Sequence, residues 1–169
     1  MNKLVSLASK AQHSSFYRFI LNMALLRAVP FNSPHNIRVQ SIGNNSITIK
    51  AKNTVHNRNH IKGIHACLLA TMCEYVSGLS LLLQLNPKDY RIILKNISMT
   101  YHFQAKTSVY AHFELLPETV TAQVLKPLES QETLFKEFTI EVYDDNKNHI
   151  CTGLINWQIK AWKHVKLKV

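Results

Sequence analysis

One long apolar segment dominates this sequence. From Ile64 to Leu85 the chain runs for 22 residues with a single ionised side chain, Glu74, near the middle. A helix that is apolar on all sides must be surrounded by other parts of the protein. Burying a carboxylate in such a helix is costly unless the group has a partner or a use. Glu74 is therefore the first candidate for a functional residue.

The same segment is long enough to cross a lipid bilayer. A charged side chain at the bilayer centre costs about 2.5–3.5 kcal/mol on insertion scales, and Glu74 would lie there. Basic residues flank both ends and so define no orientation, namely Arg58, Lys62, Lys88 and Arg91. We therefore expect a helix buried in a soluble protein and no membrane span.

The composition of this 169-residue chain is typical of one globular domain. Hydrophobic residues make up 46% and charged residues 18%, which excludes intrinsic disorder. We assign residues 1–169 to a single domain with a helical extension over residues 1–30. Cys67, Cys73 and Cys151 form neither a disulfide framework nor a metal-ligand spacing. With no recognisable secretory signal, we expect reduced thiols and a cytoplasmic location.

The net charge is +10, from 20 Lys and Arg residues and 10 Asp and Glu residues. The basic residues are scattered, except for a C-terminal group of lysines, Lys160, Lys163, Lys166 and Lys168. The charge fits a solubilising surface, or attraction to a phosphate-bearing substrate or an acidic carrier protein. No nucleic-acid motif accompanies it, so a nucleic-acid or membrane-surface protein ranks third among our hypotheses.

Residue periodicity predicts one further long helix and a sheet. Helical spacing places Phe16, Phe19, Ile20 and Met23 on one face of a helix ending at Ala28, and this face should cover the core. Alternation and turn residues predict strands at Ile37–Gln40, Ile47–Lys50, Asn96–Phe103, Ser108–Leu115, Glu137–Val142 and Ile150–Trp162, and a short helix at Pro117–Leu125 that ends before Pro127.

Consecutive antiparallel strands have one face to bury, and only the helix Ile64–Leu85 is apolar enough to fill it. The sequence therefore predicts an α+β fold in which an antiparallel sheet wraps around one long central helix.

The residues around the start of the central helix resemble those of hotdog-fold thioesterases. The pattern Asn59-His60-x-x-Gly63-x-His65-Ala66, with Glu74 nine residues after the histidine, is similar to that of the phenylacetate-type acyl-CoA thioesterases. Three segments are similar to those of an uncharacterised thioesterase-like subgroup, namely Arg58-Asn59-His60, Glu74-x-x-x-Gly78 and Ser98-Met99-Thr100-Tyr101. The resemblance spans residues 35 to 160. One departure is that the family's His-Gly-Gly is His65-Ala66-Cys67 here, and side chains at these positions narrow the approach of a thioester.

The resemblance implies a hotdog fold that hydrolyses an acyl-CoA or acyl-carrier thioester without a cofactor or a metal. The free N–H groups at a helix N-terminus can polarise the thioester carbonyl. A carboxyl group in an apolar setting has a raised pKa, which suits it to act as base or nucleophile near neutral pH. The candidate catalytic residues are Glu74, Asn59 and His65, and the candidate thioester-binding residues are Gly63, Ala66 and Cys67.

Other interpretations of the same residues stay open. Hotdog dehydratases place a histidine fourteen residues before a helical glutamate and a glycine three residues after that histidine, as do His60, Gly63 and Glu74, but their prolines are absent here. Glu74 could instead pair structurally with a basic group, or the protein could bind an acyl group without turnover. Resemblance to hotdog proteins also implies a homodimer or dimer of dimers, with the Tyr101–Phe113 region of one subunit lining the site of the other.

Overall fold

The computed structural model describes residues 3–165 and has the predicted α+β architecture. Helices lie at Lys3–His13 (α1), Ser15–Ala28 (α2), Ala66–Gln84 (α3), Pro117–Val120 (α4) and Lys126–Ser130 (α5), and strands lie at Arg38–Ile42 (β1), Ser46–Ala51 (β2), Tyr90–Tyr101 (β3), Val109–Glu114 (β4), Thr133–Asp144 (β5) and His149–Ala161 (β6). The six-stranded antiparallel sheet has the order β1-β2-β4-β5-β6-β3. A sheet of this kind around one long helix is the hotdog fold, and this prediction is confirmed.

The core of the protein is formed by α3 and the sheet. The helix packs against β2, β3, β4, β5 and β6, and buries Met72, Val76 and Leu81 completely. By length and apolarity α3 could cross a membrane, but 61% of its most apolar window is buried inside the protein. It is therefore built as a core helix, and the strands around it supply the apolar environment that its composition requires.

The two edge strands of the sheet, β1 and β3, differ in what lies beside them. Beside the short edge strand β1 lies α2, whose buried Asn22 accepts a 2.7 Å hydrogen bond from the Val39 N–H and donates one of 3.0 Å to the Val39 carbonyl. At the other edge, β3 is 12 residues long and pairs with β6 on one side. Within residues 3–165, no strand pairs with its other side.

The predicted core-facing side of α2 is wrong. Phe16 is 66% exposed and Phe19 is 56% exposed, whereas the buried residues of the helix are Leu21, Asn22 and Leu25. The helix is apolar on two adjoining faces, so periodicity alone does not select one of them. Asn22 determines which face of α2 is buried, because its amide must face the sheet to form hydrogen bonds with the backbone of β1.

Two further predictions needed correction. Alternation placed Tyr101 and Phe103 on a buried face, but they are 49% and 57% exposed. Tyr101 ends the edge strand β3, which has no neighbouring strand on its other side within residues 3–165, and Phe103 follows the strand. The short helix does not stop before Pro127. A π turn at Thr121–Leu125 leads into α5, where Pro127 sits in the first turn and its missing N–H is not needed.

The C-terminal lysines fall into two groups. Lys160 lies on β6 and forms a 3.6 Å ion pair with Glu132, the one ion pair within residues 3–165, and Lys163 follows in a short turn. Lys166 and Lys168 lie outside the described residues.

Candidate active site

The turn before α3 is held together by Asn59. Its Oδ1 accepts hydrogen bonds from the N–H groups of Ile61 (3.1 Å) and Gly63 (3.0 Å), and its own N–H donates to the Gly63 carbonyl at 2.8 Å. The side-chain carbonyl of Asn59 is thus committed to the turn, while the Nδ2 amide remains as a donor. A Cβ atom at Gly63 would lie 2.8 Å from Cγ of Gln104, so the space beside this glycine is filled by protein.

The first turn of α3 offers one free backbone donor. His65 is the N-cap residue, and its Nδ1 accepts a 3.1 Å hydrogen bond from the Cys67 N–H. The Leu68 N–H donates to the His65 carbonyl at 3.0 Å. Within residues 3–165 no acceptor contacts the Ala66 N–H. Of the two donors expected at this terminus, that of Ala66 is available to a ligand and that of Cys67 is used by the cap.

A pocket of about 310 Å³ opens beside this terminus, and we call it the N-terminal pocket. Its lining includes Asn59, Ala66, Leu69, Tyr101 and Gln104. The Tyr101 hydroxyl donates a 3.2 Å hydrogen bond to the Ala66 carbonyl. Partial burial raises the pKa of Tyr101, with smaller contributions from nearby cysteines, so its hydroxyl stays protonated near neutral pH.

Glu74 lies in a different cavity, which we call the Glu74 cavity. This space of about 340 Å³ lies among α2, α3, β3 and β6, and most of its lining is apolar. The carboxylate forms no ion pair or hydrogen bond with another side chain in residues 3–165. Burial raises the pKa of Glu74 above its usual value of 4.5. The expectation of a raised pKa agrees with the structure, and the alternative of a carboxylate paired with a basic group does not.

One wall of the Glu74 cavity is built from Trp157. A Cβ atom at Gly78 would lie 2.9 Å from the rim of the indole ring and 3.9 Å from Oε1 of Glu74. Glycine at this position therefore lets the ring lie against α3, next to the carboxylate. Trp157 was not among the predicted site residues, because its alternation marks it only as a buried residue of a strand.

The structure does not bring all the predicted site residues together in one chain. Ala66 and Glu74 are eight residues apart on the same helix, which is about 12 Å along its axis. They open into separate cavities. His60 is exposed at the tip of the turn, and no interaction joins it to Glu74. The dehydratase alternative would require the two side chains to meet.

Cys67 does not line the N-terminal pocket. It lines a third space of about 290 Å³ together with His35, His56, Arg58 and His65. This grouping was not predictable from the sequence, because His35 and His56 approach from separate loops. Within residues 3–165, no group of three His, Cys, Asp or Glu side chains is arranged to hold a metal ion.

Several solved structures share this fold, and some of them are described as thioesterases. A Pseudomonas aeruginosa protein of unknown function, described as a "Probable Thioesterase", has a TM-score of 0.74 and 15% identity over 80% of this chain and 90% of its own. A thioesterase from Haemophilus influenzae has a TM-score of 0.65 and 12% identity, covering 89% and 95%. Alanine variants of a thioesterase from Staphylococcus aureus have a TM-score of 0.62 and 12% identity, covering 78% and 98%.

None of the curated proteins matches the sequence. A family model does match, over residues 18–159, which is most of the chain and includes α3 and all of the sheet except the last two residues of β6. The chain thus belongs to the family described as "Domain of unknown function (DUF4442)".

Proposed function

We propose that this protein hydrolyses an acyl thioester carried by coenzyme A or by an acyl carrier protein. The observation that carries the proposal is the Glu74 carboxylate, half-buried in an apolar cavity without a side-chain partner and with a raised pKa. Such a carboxylate costs stability and is typical of groups that exchange protons during catalysis. The N-terminal pocket supplies the complementary part, a free N–H at a helix terminus.

The two parts meet when two copies of the chain associate. The free side of β3 favours pairing with a second β3, since an unpaired strand edge seeks a partner. Lys95 is an extra residue in β3, where the pairing with β6 passes from Leu94 to Asn96. A two-fold axis through Ile97 would therefore set Tyr101 of one copy opposite Ile92 of the other. Tyr101 lines the N-terminal pocket and Ile92 lines the Glu74 cavity. Each site would then combine the helix terminus of one copy with Glu74 of the second.

In this arrangement, the thioester carbonyl oxygen accepts hydrogen bonds from the Ala66 N–H and the Asn59 Nδ2 amide. Glu74 takes a proton from a water molecule, and the resulting hydroxide attacks the carbonyl carbon. The tetrahedral intermediate collapses, the carbon–sulfur bond breaks, and the protonated Glu74 returns the proton to the thiolate. A direct attack by the Glu74 carboxylate, giving an anhydride that water then cleaves, uses the same geometry.

The structural relatives support this proposal. Those from Pseudomonas aeruginosa, Haemophilus influenzae and Staphylococcus aureus are all described as thioesterases. In the two Staphylococcus aureus variants, a glutamine and a glutamate fifteen positions after it were each replaced by alanine. Asn59 and Glu74 are also fifteen residues apart. A cytoplasmic location, and a reaction that needs no cofactor beyond the carrier of the acyl group, belong to the same proposal.

The test uses two variants that each remove one half of the site. Glu74→Gln should reduce hydrolysis of an acyl-CoA panel by about 10²-fold or more, the usual scale for an acid–base group. Asn59→Asp keeps the acceptor that holds the turn and removes the Nδ2 donor. A heterodimer of the two variants, purified through two different tags, has one site with both residues intact. It should recover about half of the wild-type activity.

Two results would contradict the proposal. Unchanged hydrolysis by the Glu74→Gln variant would remove Glu74 from the mechanism. A heterodimer no more active than its parents would place Asn59 and Glu74 in a site within one chain. The exposed Glu118→Gln variant serves as the control for substitution of a carboxylate.

A protein that binds acyl groups without hydrolysis is the second candidate. It is favoured by the first turn of α3, where side chains occupy both glycine positions of the family pattern and the Cys67 N–H is already bonded to His65. Length-dependent binding of acyl-CoA with no release of free thiol by the wild-type protein would establish this candidate.

A further inference from the structure

The Glu74 cavity has the shape and chemistry of a site for a hydrocarbon chain. Glu74 is the first α3 residue in its lining, and Gly78, Leu79 and Leu82 follow it along the helix. The facing wall is α2, which contributes Ala24 and Ala28. A ligand that fits must present its polar group near Glu74 and only apolar atoms beyond it, because the farther lining offers no charged partner.

We propose that this cavity holds the tail of a medium-chain acyl group, and that Ala24 and Ala28 of α2 limit the length of that tail. The inference rests on the proposed hydrolysis for the position of the reacting carbonyl, next to Glu74. In this proposal α2, predicted from the sequence only as part of an N-terminal extension, helps to determine which acyl chain length the protein accepts.

Two dimensions agree on the length of the chain. From Glu74 to Leu82 the helix rises about 12 Å, and an extended alkyl chain advances about 1.3 Å per carbon, since its bonds of about 1.5 Å are staggered. The volume gives a similar answer. An apolar cavity of about 150 Å³ holds the six carbons of benzene, and the Glu74 cavity measures about 340 Å³. The length corresponds to about nine carbons and the volume to about fourteen, so the cavity fits a chain of about nine to fourteen carbons.

The two alanines decide where the cavity ends on the α2 side. Ala24 and Ala28 are four residues apart, so they lie on the same face of the helix, one turn apart. A phenyl ring at either position would project into the space between α2 and α3. The cavity would then be shortened without any change to Glu74, Asn59 or Ala66.

The experiment measures binding of S-alkyl pantetheine thioethers with butyl, octyl, decyl and hexadecyl chains. These compounds carry the arm that coenzyme A and acyl carrier protein share, and they cannot be hydrolysed. Trp157 lines the cavity and Trp162 is the second of two tryptophans in the chain. In a Trp162→Phe background, the fluorescence of Trp157 therefore reports occupancy directly. A parallel series of S-alkyl coenzyme A compounds shows which carrier is preferred.

Affinity should rise about fourfold per methylene from butyl to octyl, level off near decyl and gain nothing at hexadecyl. Ala24→Phe and Ala28→Phe should bind the butyl compound normally and lose most of the gain for longer chains. Ala122→Phe places the same ring at an exposed helical position away from the cavity and should bind like the parent. Ala24→Leu is the milder substitute if the phenylalanine variants do not fold.

Affinities that ignore chain length, or a length dependence that survives all the α2 substitutions, would overturn the assignment. Hydrolysis of butanoyl and decanoyl thioesters is measured in parallel, so the two proposals can fail separately. Length-dependent binding without hydrolysis keeps the acyl site and rejects the thioesterase. Hydrolysis that is indifferent to length and to the α2 substitutions keeps the thioesterase and rejects the acyl site.

Discussion

The indole Nε1 of Trp157 donates a 3.0 Å hydrogen bond to the Ser77 hydroxyl, which in turn donates to the backbone carbonyl of Cys73. This chain of bonds fixes a strand of the sheet to the middle of α3, one turn from Glu74. The ring can reach Ser77 because Gly78 leaves room for it. Gly78 therefore allows Trp157, which forms one wall of the Glu74 cavity, to lie next to Glu74.

Gly78→Ala should destabilise the protein by about 1–3 kcal/mol, because the added Cβ would meet the rigid indole at 2.9 Å. Elsewhere in a helix the same change is stabilising by about 0.5–1 kcal/mol. Urea denaturation of both single variants and the double variant tests the cause. In a Trp157→Phe background the smaller ring leaves space, and Gly78→Ala should become neutral or stabilising. An equal cost in both backgrounds would show that the clash is not with Trp157.

Glu74→Gln should raise the melting temperature at pH 7. Burial raises the pKa of Glu74 in the folded protein, so the folded state holds this proton more tightly than the unfolded state does. The stability of the wild type is then highest below the unfolded pKa and falls as the pH rises through the folded one. The advantage of the glutamine variant should therefore shrink as the pH is lowered towards 4. Melting curves at several pH values, with Glu118→Gln as control, would refute this if the difference were constant.

The rate of hydrolysis should also depend on the ionisation of Glu74. As a base, it is active only when it has lost its proton, so kcat/KM should rise with pH through the raised pKa of Glu74. The acid limb of the profile should lie above 4.5, the usual value for a glutamate. Thiol release measured from pH 4 to 8 locates the limb. The assignment fails if the limb lies at the usual value, or if the Glu74→Gln variant shows the same limb.

Asn22→Ala should cost about 2–3 kcal/mol of unfolding free energy. The change leaves the N–H and the carbonyl of Val39 without their side-chain partners in a buried place. Arg27→Ala, on the same helix and exposed, is the matched control and should change little. A loss for Asn22→Ala below about 0.5 kcal/mol, the range of ordinary surface substitutions, would mean that water satisfies β1 equally well.

Truncation after Trp162 should leave acyl-thioester hydrolysis nearly intact, although it removes three basic residues of the C-terminal group. Trp162 itself is retained, since its indole donates a 2.8 Å hydrogen bond to the Pro87 carbonyl. Apparent affinity for a phosphate-bearing substrate should fall as salt rises, in the truncated and full-length chains alike. Loss of hydrolysis by a folded, dimeric truncated chain would assign the tail to the site.

The sequence was sufficient for the fold because two strong patterns agree with each other. Alternation in β5 and β6 gives the sheet one apolar face to bury, and α3 is apolar on all sides. Both are buried when the sheet wraps around the helix. The orientation of α2 was not predictable, because it depends on hydrogen bonds between the Asn22 side chain and the backbone of Val39, 17 residues further along the chain. The exposure of Tyr101 was missed for a related reason. Alternation shows which residues share a face of a strand, but not whether the sheet continues beside that strand.

The roles of the site residues stay predictions, and the arrangement of these residues was not predictable from the sequence. Glu74 and Asn59 stand out by chemistry and spacing. Within residues 3–165, the Nδ2 amide of Asn59 is a free donor and the carboxylate of Glu74 has no side-chain partner. Their placement in separate cavities follows from the length of α3 and from the direction in which each side chain leaves the backbone. The commitment of the Cys67 N–H to His65 is a local geometric choice that residue types do not reveal.

The hydrogen bonds between Asn22 and Val39 also bear on how large the proposed assembly could become. A sheet with two open edges can add copies indefinitely and grow into a fibre. Here the side chain of Asn22 occupies the outward N–H and carbonyl of Val39 in the short edge strand β1, which makes this edge a poorer template for another copy than β3. If two β3 strands pair across a two-fold axis, as we propose, polymerisation through the sheet would end at the pair.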